Sequence, residues 1–394
     1  MLLRYCRNES WVGYDPYDGL KSPLAQLFLF KNRFARTSLT QLVKRSPFNL
    51  RPIIGIRRDL NPKGLAVAAR AIMLIADREG CRLPDELGSR TEYHEGDVPA
   101  DFDFLMNRLS SIRTPGYGEA CWGYNFDWQS RAFFAPRGTP NVVCTVFAGH
   151  AYLDWYERTG KDSVLQVATS ICRFLLDRLN RTREFDGDCF SYTPLDHSRV
   201  HNVNLLAAEF LARVFEKTGI EEYRDAADRA ARFTLARQRR DGSWFYGEAE
   251  SQKWIDSFHT GFALVSLKHL IEHLNCDEWR SALDAGYEFY EKRFFLADGT
   301  PGYYHDRLYP HDVHSSAQGV ITFVEMTDLM PNAKAMAGRV VRWSIDELQD
   351  PDGFFYFQKH RFYTNRTSYM RWAQAWMLYA LSIYLSVKWN SDNV

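Results

Sequence analysis

The chain has 394 residues, and its 49 basic side chains balance 49 acidic ones. A zero net charge excludes the basic surface excess that is typical of nucleic-acid-binding proteins, so we expect no nucleic-acid partner. Apolar residues at 45% and charged residues at 25% are globular proportions, which exclude disorder over most of the chain.

The sequence also predicts a cellular location. No stretch approaches the roughly 18 uncharged apolar residues that span a bilayer, and the N-terminus lacks the apolar run of a signal peptide. The seven cysteines include no Cys-x-x-Cys pair. Reduced thiols in a cytoplasmic protein fit this pattern better than a disulfide framework does.

The first predicted elements are an extended segment over residues 1–22 and a helix from Leu24 to about Lys44. The segment Gly13-Tyr14-Asp15-Pro16-Tyr17-Asp18-Gly19-Leu20 carries two tyrosines and two carboxylates within five positions. One interpretation is a turn in which Asp18 or Ser22 caps the helix. The other is a loop that lines a binding site with Tyr17 and Asp18.

The rest of the chain repeats with a period of about 56 residues. Asp-Gly turns followed by aromatic residues begin at Asp186, Asp241, Asp298 and Asp352, with a weaker relative near Gly116. Asp-Gly favours a positive φ and a tight reversal, so each copy predicts a short hairpin or turn.

Two kinds of helix alternate between these turns. Helices that are apolar nearly all round are predicted to be inner helices, buried on most sides, whereas amphipathic helices with a charged face are predicted to be outer ones. The inner helices fall near 62–77, 141–157, 202–217, 258–273, 314–328 and 369–387, and the outer helices near 98–112, 161–180, 221–238, 277–294 and 332–348.

This alternation predicts an all-α fold, an (α/α)6 toroid over residues 1–394 as a single domain, with short β-turn hairpins at one rim. The sixth outer helix is missing from the repeat, and the helix from Leu24 would close the ring beside the last inner helix. A five-hairpin ring or an open α-solenoid scaffold also fits the spacing. Solenoid repeats are usually shorter, with 33–47 residues, which favours the toroid.

In a toroid the N-terminal ends of the inner helices converge on one mouth, where free N–H groups favour anionic ligands. Residues just before or within these helix starts are candidate ligand contacts: Asp127, Arg131, Asn141, Asn202, Gln318 and Trp372. Any single Asp or Asn at such a position also fits a simple helix cap. The histidines His201, His259 and His314 recur in successive repeats at what we take to be matched phase, which favours a shared pocket.

These residue types define the expected chemistry. We predict His201, His259 and His314 as acid/base groups, with Asp256 and Asp312 as orienting or second carboxylates and with Tyr303 or Tyr369 assisting. Arg371 is predicted to hold a substrate carboxylate. The segment His311-Asp312-Val313-His314 fits no standard zinc spacing. Because nucleotide-binding fingerprints are also absent, we expect neither a metal nor a cofactor.

The architecture resembles the six-hairpin toroid superfamily of carbohydrate-active enzymes, which includes unsaturated uronyl hydrolases, sugar 2-epimerases and polysaccharide lyases. The segment Tyr369-Met370-Arg371-Trp372-Ala373-Gln374-Ala375-Trp376 is similar to an inner helix of the uronyl hydrolases, and Tyr14 to Leu20 resembles a toroid family from surface-polysaccharide loci. The resemblance implies an acidic saccharide as substrate and glycosidic cleavage, elimination or epimerisation as the reaction.

A weaker resemblance is to the terpenoid cyclases, which are also toroids. Gln238-Arg239-Arg240-Asp241-Gly242-Ser243-Trp244 matches their Gln-x-x-Asp-Gly-x-Trp repeat, but their Asp-x-Asp-Asp proton donor is missing. A cyclase predicts an apolar, aromatic-lined cavity in place of a polar mouth. A third alternative is a glycan-binding protein without catalytic activity.

Overall fold

The helix boundaries follow from capping residues in the sequence. The computed structural model describes residues 1–23, 25, 32–87 and 97–387. In chain order the helices are α1 (Leu2–Asn8), α2 (Arg33–Arg45), α3 (Pro62–Glu79), α4 (Val98–Ser111), α5 (Val142–Thr159), α6 (Asp162–Asp177), α7 (His201–Thr218), α8 (Glu221–Leu235), α9 (Ser257–Leu274), α10 (Arg280–Phe294), α11 (Val313–Glu325), α12 (Ala333–Leu348) and α13 (Ala375–Ser386), the last preceded by a π-helical turn, Met370–Gln374.

Helix α5 shows how these boundaries are set. The Asn141 side chain accepts a hydrogen bond from the backbone N–H of Cys144 (2.9 Å) and so satisfies one free donor at the start of the helix. At the other end, Gly160 adopts a φ of 67° and turns the chain out of the helix. Asn141 is therefore a cap in this structure, and it is fully buried in that role.

The six odd-numbered helices from α3 to α13 form a closed inner ring. Each packs on the next one in the series, and α13 packs on α3. Helices α4, α6, α8, α10 and α12 pack outside, each against the inner helix that precedes it in the chain. The predicted (α/α)6 toroid is therefore confirmed, and the closed ring of six rules out both a five-hairpin ring and an open solenoid.

The Asp-Gly turns fasten neighbouring hairpins together. Gly187, Gly242, Gly299 and Gly353 all have a positive φ, and each lies against the backbone of the next outer element. An added Cβ at Gly242, for example, would lie 2.2 Å from the carbonyl oxygen of Ala285 in α10. Glycine is therefore needed here for both its conformation and its lack of a side chain.

The same pattern shows which element takes the sixth outer position. Gly353 follows α12, and its neighbour is Met1 at the start of α1. Helix α1 in turn contacts α13 and buries Leu2 and Cys6. The prediction that the Leu24 helix closes the ring was therefore wrong, because the first eight residues already cover the last inner helix.

The described part of that predicted helix, α2, lies at the mouth of the ring, and its expected start at Leu24 falls outside the described residues. It packs on a 3-10 turn, Asp18–Lys21, and on strand β1 (Trp128–Gln129). Residues 1–22 are thus not extended throughout, since they contain both α1 and this turn.

Short strands surround the same mouth. Strand β1 pairs with β2 (Phe134–Ala135), β3 (Arg181–Glu184) pairs with β4 (Gly187–Phe190), and β5 (His311–Asp312), β6 (Gln358–Lys359) and β7 (Thr364–Asn365) form an antiparallel sheet. The predicted rim hairpins are confirmed. Within the described ranges, no helix combines the length and apolar character that crossing a membrane requires.

We expect Gly242→Ala to lower the free energy of unfolding by about 3–4 kcal/mol, because it adds a backbone collision to the strain of a positive φ. Gly219→Ala is a matched control. Its φ is 67°, but an added Cβ would meet nothing within 4 Å, so only about 1–2 kcal/mol should be lost. Urea unfolding of both variants measures the difference, and equal losses would contradict the close packing of the turn.

Candidate functional site

The second residue of each inner helix, counting the π-helical turn as the start of the last one, faces a common cavity of about 490 Å³. Backbone hydrogen bonds fix these helix starts. The first N–H groups of α7 and α9 donate to the carbonyls of Tyr246 and Tyr303 in the aromatic turns, at 3.1 and 3.0 Å. The six second residues are Lys63, Val143, Asn202, Phe258, His314 and Arg371.

The three predicted histidines are not at matched phase. His201 is the first residue of its helix, His314 the second and His259 the third. His201 is only 2% exposed, and its Nε2 lies 2.9 Å from Oε1 of Glu248, outside the cavity. That hydrogen bond helps to lower the pKa of Glu248. The offset of His201 from His314 turns its side chain by about 100° towards Glu248, whereas His259, offset by one position in the other direction, still lines the cavity.

His259 is held by Asp256, the cap of α9. The Asp256 carboxylate accepts the backbone N–H of His259 (3.0 Å), and its Oδ2 lies 2.8 Å from His259 Nδ1. Oδ2 also accepts the indole N–H of Trp254 (2.8 Å). Because a carboxylate only accepts hydrogen bonds, Nδ1 carries the proton and Nε2 keeps its lone pair. Asp256 therefore orients His259, as predicted for one of its two roles.

His314 has the same tautomer, but a different partner fixes it. Its Nδ1 donates to the carbonyl oxygen of Trp372 (2.9 Å), and its ring stacks on the Trp372 indole with centroids 4.4 Å apart. A carbonyl oxygen also only accepts, so the neutral ring again has its lone pair on Nε2. The side chain is 1% exposed, and burial, aided by the nearby charge of Lys63, lowers its pKa well below the ordinary value.

Asp312 lies behind these groups and does not line the cavity. Its Oδ1 accepts the His314 backbone N–H (2.8 Å) and the Trp372 indole N–H (3.0 Å), while Oδ2 accepts from Gln358 (2.6 Å). Burial raises its pKa. Asp312 thus fixes the stacked pair of rings from outside the cavity lining.

Arg371 lines the cavity but is already paired. Asp15 accepts from its Nη2 (2.8 Å) and from its Nε, so two parallel hydrogen bonds neutralise the guanidinium. The sequence reasoning chose Tyr17 and Asp18 from the N-terminal segment and missed Asp15. Tyr17 does line the cavity, where its hydroxyl accepts a hydrogen bond from Lys44 (2.8 Å).

Asp18 lies beneath the site and is structural. Its Oδ1 accepts from Arg51 Nε (2.6 Å), and its Oδ2 accepts the backbone N–H of Asp15 (2.9 Å). The Arg51 guanidinium also packs 4.8 Å from the ring centroid of Tyr369. Tyr369 is fully buried outside the cavity, and burial raises its pKa. Both residues support the segment that carries Asp15.

The remaining predicted residues divide into two groups. Arg131, Asn202, Tyr303 and Trp372 line the cavity, and the Arg131 guanidinium lies 4.3 Å from the Trp254 ring centroid. Asp127 accepts the backbone N–H of Arg137 in a rim turn (2.6 Å), and Gln318 lines a different cavity, so neither contacts the site.

Sequence reasoning missed much of the lining. Lys63 was overlooked although it is the second residue of the first inner helix. The second residue of every other inner helix also faces the cavity. The aromatic turns also contribute rings to the lining. The sequence shows that these rings recur, but it does not show that they point into the cavity. The missed lining residues include Lys44, Lys63, Tyr124, Tyr192, Tyr246, Phe258, Phe262 and Arg307.

The lining has a marked excess of positive charge. Among the described lining residues, Lys44, Arg45, Arg131 and Arg307 supply positive charge, Arg371 is neutralised by Asp15, and Asp256 supplies the only carboxylate. Such a cavity attracts anionic ligands and disfavours cationic ones. The many rings beside these charges provide flat apolar faces as well.

A second cavity of about 330 Å³ opens at the opposite end of the ring. The rings of Phe147, Phe262 and Trp376 meet edge to face or tilted and separate the two cavities. In the second cavity Glu209 lies 2.8 Å from His150 and 3.2 Å from His269, which also reaches Glu325 (3.2 Å). Burial opposes charge on His269, but the hydrogen bonds to the two glutamates outweigh it and raise its pKa to about 10.

Comparisons with solved structures show the same fold. The chain is similar to a GH76 alpha-mannanase of Bacteroides thetaiotaomicron (TM-score 0.60, 14% identity, covering 82% of this chain and 85% of that one). It is also similar to cellobiose 2-epimerase from Bacillus thermoamylovorans (TM-score 0.64, 10% identity, covering 83% of this chain and 87% of that one). A third similar structure is an unsaturated glucuronyl hydrolase specific for heparin (TM-score 0.60, 13% identity, covering 84% of this chain and 88% of that one). No family model and no curated protein sequence matches the chain. The protein therefore has the (α/α)6 toroid fold.

We expect Arg371→Met to lower the free energy of unfolding by about 3–5 kcal/mol, because Asp15 then remains buried without its partner. The double variant Asp15→Leu with Arg371→Met should recover most of this loss, since both charges are gone. Thermal unfolding of the three proteins measures the coupling. A double variant no more stable than Arg371→Met would contradict the pairing.

The pKa of His269 predicts how stability depends on pH. A folded pKa of about 10 against about 6.5 in the unfolded chain gives stability that is complete below pH 6.5 and is lost as the pH rises towards 10. His269→Gln should therefore cost on the order of 2 kcal/mol near pH 6 and much less near pH 10. The exposed His197→Gln is the control variant for the replacement of a histidine as such. A pH-independent loss for His269→Gln would contradict the assignment.

Proposed function

We propose that the protein is a carbohydrate-active enzyme that epimerises or isomerises an anionic saccharide by cofactor-free proton transfer at the carbon next to a carbonyl group. The observation that carries this proposal is the pair of imidazoles, His259 and His314, in one cavity, each with Nδ1 bonded to an acceptor and Nε2 left for the substrate. Among the described residues nothing hydrogen-bonds either Nε2. Two such groups suit a reaction in which one base removes a proton and the other group returns one.

The two imidazoles have different surroundings, which suggests a different role for each in the proton transfer. The pKa of His314 is lowered by burial, so this ring is neutral at pH 7 and ready to accept a proton. Asp256 lies against Nδ1 of His259 and holds that ring in place, which leaves Nε2 as the atom that can carry a proton to the substrate. We therefore assign proton removal to His314 and proton return to His259.

The charge of the cavity supports the substrate class. The excess of Lys and Arg at the rim suits carboxylate-bearing sugars such as uronates, and Tyr246, Trp254 and Trp372 offer rings on which pyranoses stack. Several proteins of the same fold carry carbohydrate-enzyme names, and one of them is an epimerase. A role in surface-polysaccharide metabolism stays a prediction from the sequence. All seven cysteines are free thiols, which suits the cytoplasmic location we propose.

Two alternatives receive less support. Hydrolysis between two carboxylates needs a second free carboxylate, and Asp256 is the only one among the described lining residues. A terpenoid cyclase passes through carbocations, which a cavity lined by Lys and Arg would repel. The cavity is rich in aromatic rings, but it is not the apolar one that the cyclase alternative predicted.

We expect the protein to exchange one carbon-bound hydrogen of a reducing or uronate-containing oligosaccharide for deuterium in D₂O, without fragmentation. NMR and mass spectrometry of a panel of such sugars measure the exchange. His259→Ala and His314→Gln should each slow it by at least about 100-fold, as loss of an acid/base group does. Because His259 is partly exposed, its variant should keep the wild-type melting temperature.

His201→Gln is the matched control, because His201 lies outside the cavity and the variant should retain exchange. Fragments would indicate hydrolysis, or elimination if they carry a new C=C bond. Saturable binding with neither exchange nor product, unaffected by loss of His259 and His314, would indicate a glycan-binding protein. Each of these outcomes overturns the proposed epimerisation.

A further inference from the structure

Lys63 is a buried lysine that has no role in the proton transfer proposed above. It is the second residue of α3, only 4% exposed, and it lines the floor of the cavity. Its Nζ lies 4.7, 5.1 and 4.8 Å from the ring centroids of Phe147, Phe262 and Trp376. Within the described part of the chain, this nitrogen has neither a hydrogen bond nor an ion pair.

The surroundings favour the neutral amine. Contact with aromatic rings stabilises a desolvated ammonium by about 2 kcal/mol or more, and this offsets part of the several kcal/mol that removing an unpaired charge from water costs. The neighbouring Arg371 adds to the cost of charging Lys63, because it is itself cationic. Asp15 offsets this only in part, because it is already paired with Arg371. Burial first, and Arg371 second, lower the pKa of Lys63 well below its ordinary value, while Cys144 and Asp15 oppose the shift only weakly.

We propose that Lys63 reacts with the carbonyl carbon of the open-chain sugar and holds the substrate as an imine. This inference rests on the proposed function and adds a catalytic residue to it. A neutral, desolvated amine at the closed end of a cavity is the form in which lysine is nucleophilic. His314 lines the same cavity as Lys63, so the base and the amine are available to one ligand.

The step balances without a co-reactant. The nitrogen lone pair forms a C–N bond to the carbonyl carbon, the two protons of the amine pass to the carbonyl oxygen, and water leaves. A proton on the imine nitrogen then draws electrons from the neighbouring carbon, and His314 Nε2 removes that carbon's proton. Returning the proton and adding water releases the sugar and restores the amine.

Selective chemical labelling tests the amine directly. We use D-glyceraldehyde as the carbonyl probe with sodium cyanoborohydride, which converts an imine to a stable secondary amine. Peptide mapping of the wild-type protein between pH 6 and 9 gives the labelling rate of each lysine. At pH 6–7 Lys63 should be labelled at least about tenfold faster than the others, because each unit of lowered pKa raises the neutral fraction tenfold.

Two lysines of the same chain serve as internal controls. Lys268 is as deeply buried, but its Nζ donates to Glu272 (2.5 Å), and its pKa is raised because that interaction outweighs burial. Lys44 lines the same cavity and donates to Tyr17. The advantage of Lys63 over both should shrink as the pH rises. Labelling of Lys63 no faster than that of Lys268 and Lys44 would overturn the proposal.

The variant Lys63→Met separates this proposal from the proposed function. Methionine fits among the rings and removes an unpaired amine, so we expect an unchanged or higher melting temperature together with at least a 100-fold loss of deuterium exchange. Exchange at the wild-type rate in this variant would overturn the imine but leave the acid/base pair intact. Selective labelling of Lys63 in a protein that exchanges no sugar hydrogen would instead refute the proposed function.

Discussion

The closure of the inner ring is the constraint on which the rest of the structure depends. Because α13 packs directly on α3, six helices point their N-terminal ends at one cavity, and the second residue of each faces inward. Residues as far apart in the chain as Lys63 and Arg371 become neighbours for this reason. A solenoid with the same helices would leave these side chains spread along an open groove.

The N-terminal segment completes both the ring and the site. Helix α1 covers α13 on the outside, and the following loop brings Asp15 onto Arg371. The ion pair between Asp18 and Arg51 supports this loop from below. Buried charges of this kind add little net stability, since desolvation offsets their attraction, but they specify one arrangement of the chain. The first 18 residues therefore shape the cavity as much as the ring does.

The chemistry of the site follows from which groups are paired. Asp256 and the Trp372 carbonyl each use one ring nitrogen of a histidine and leave the other with its lone pair. Arg371 is neutralised by Asp15, whereas Lys63 lies against aromatic rings and has no ion pair among the described residues. The cavity thus holds two imidazoles whose Nε2 atoms have no partner in the described part of the chain, together with an unpaired amine, inside a rim of positive charge.

The repeat determined the fold, because helical periodicity and Asp-Gly turns are local signals that each unit carries in its own residues. It also placed His259, His314, Arg371 and Trp372 near the mouth. Local pattern could not separate His201 from them, since His201 and His259 are each one position out of phase with His314 and only the structure shows which of the two lines the cavity. Only the tertiary structure decided that Asp15 pairs with Arg371 across 356 residues and that α1 takes the sixth outer position, because such contacts depend on ring closure and have no counterpart in any single repeat.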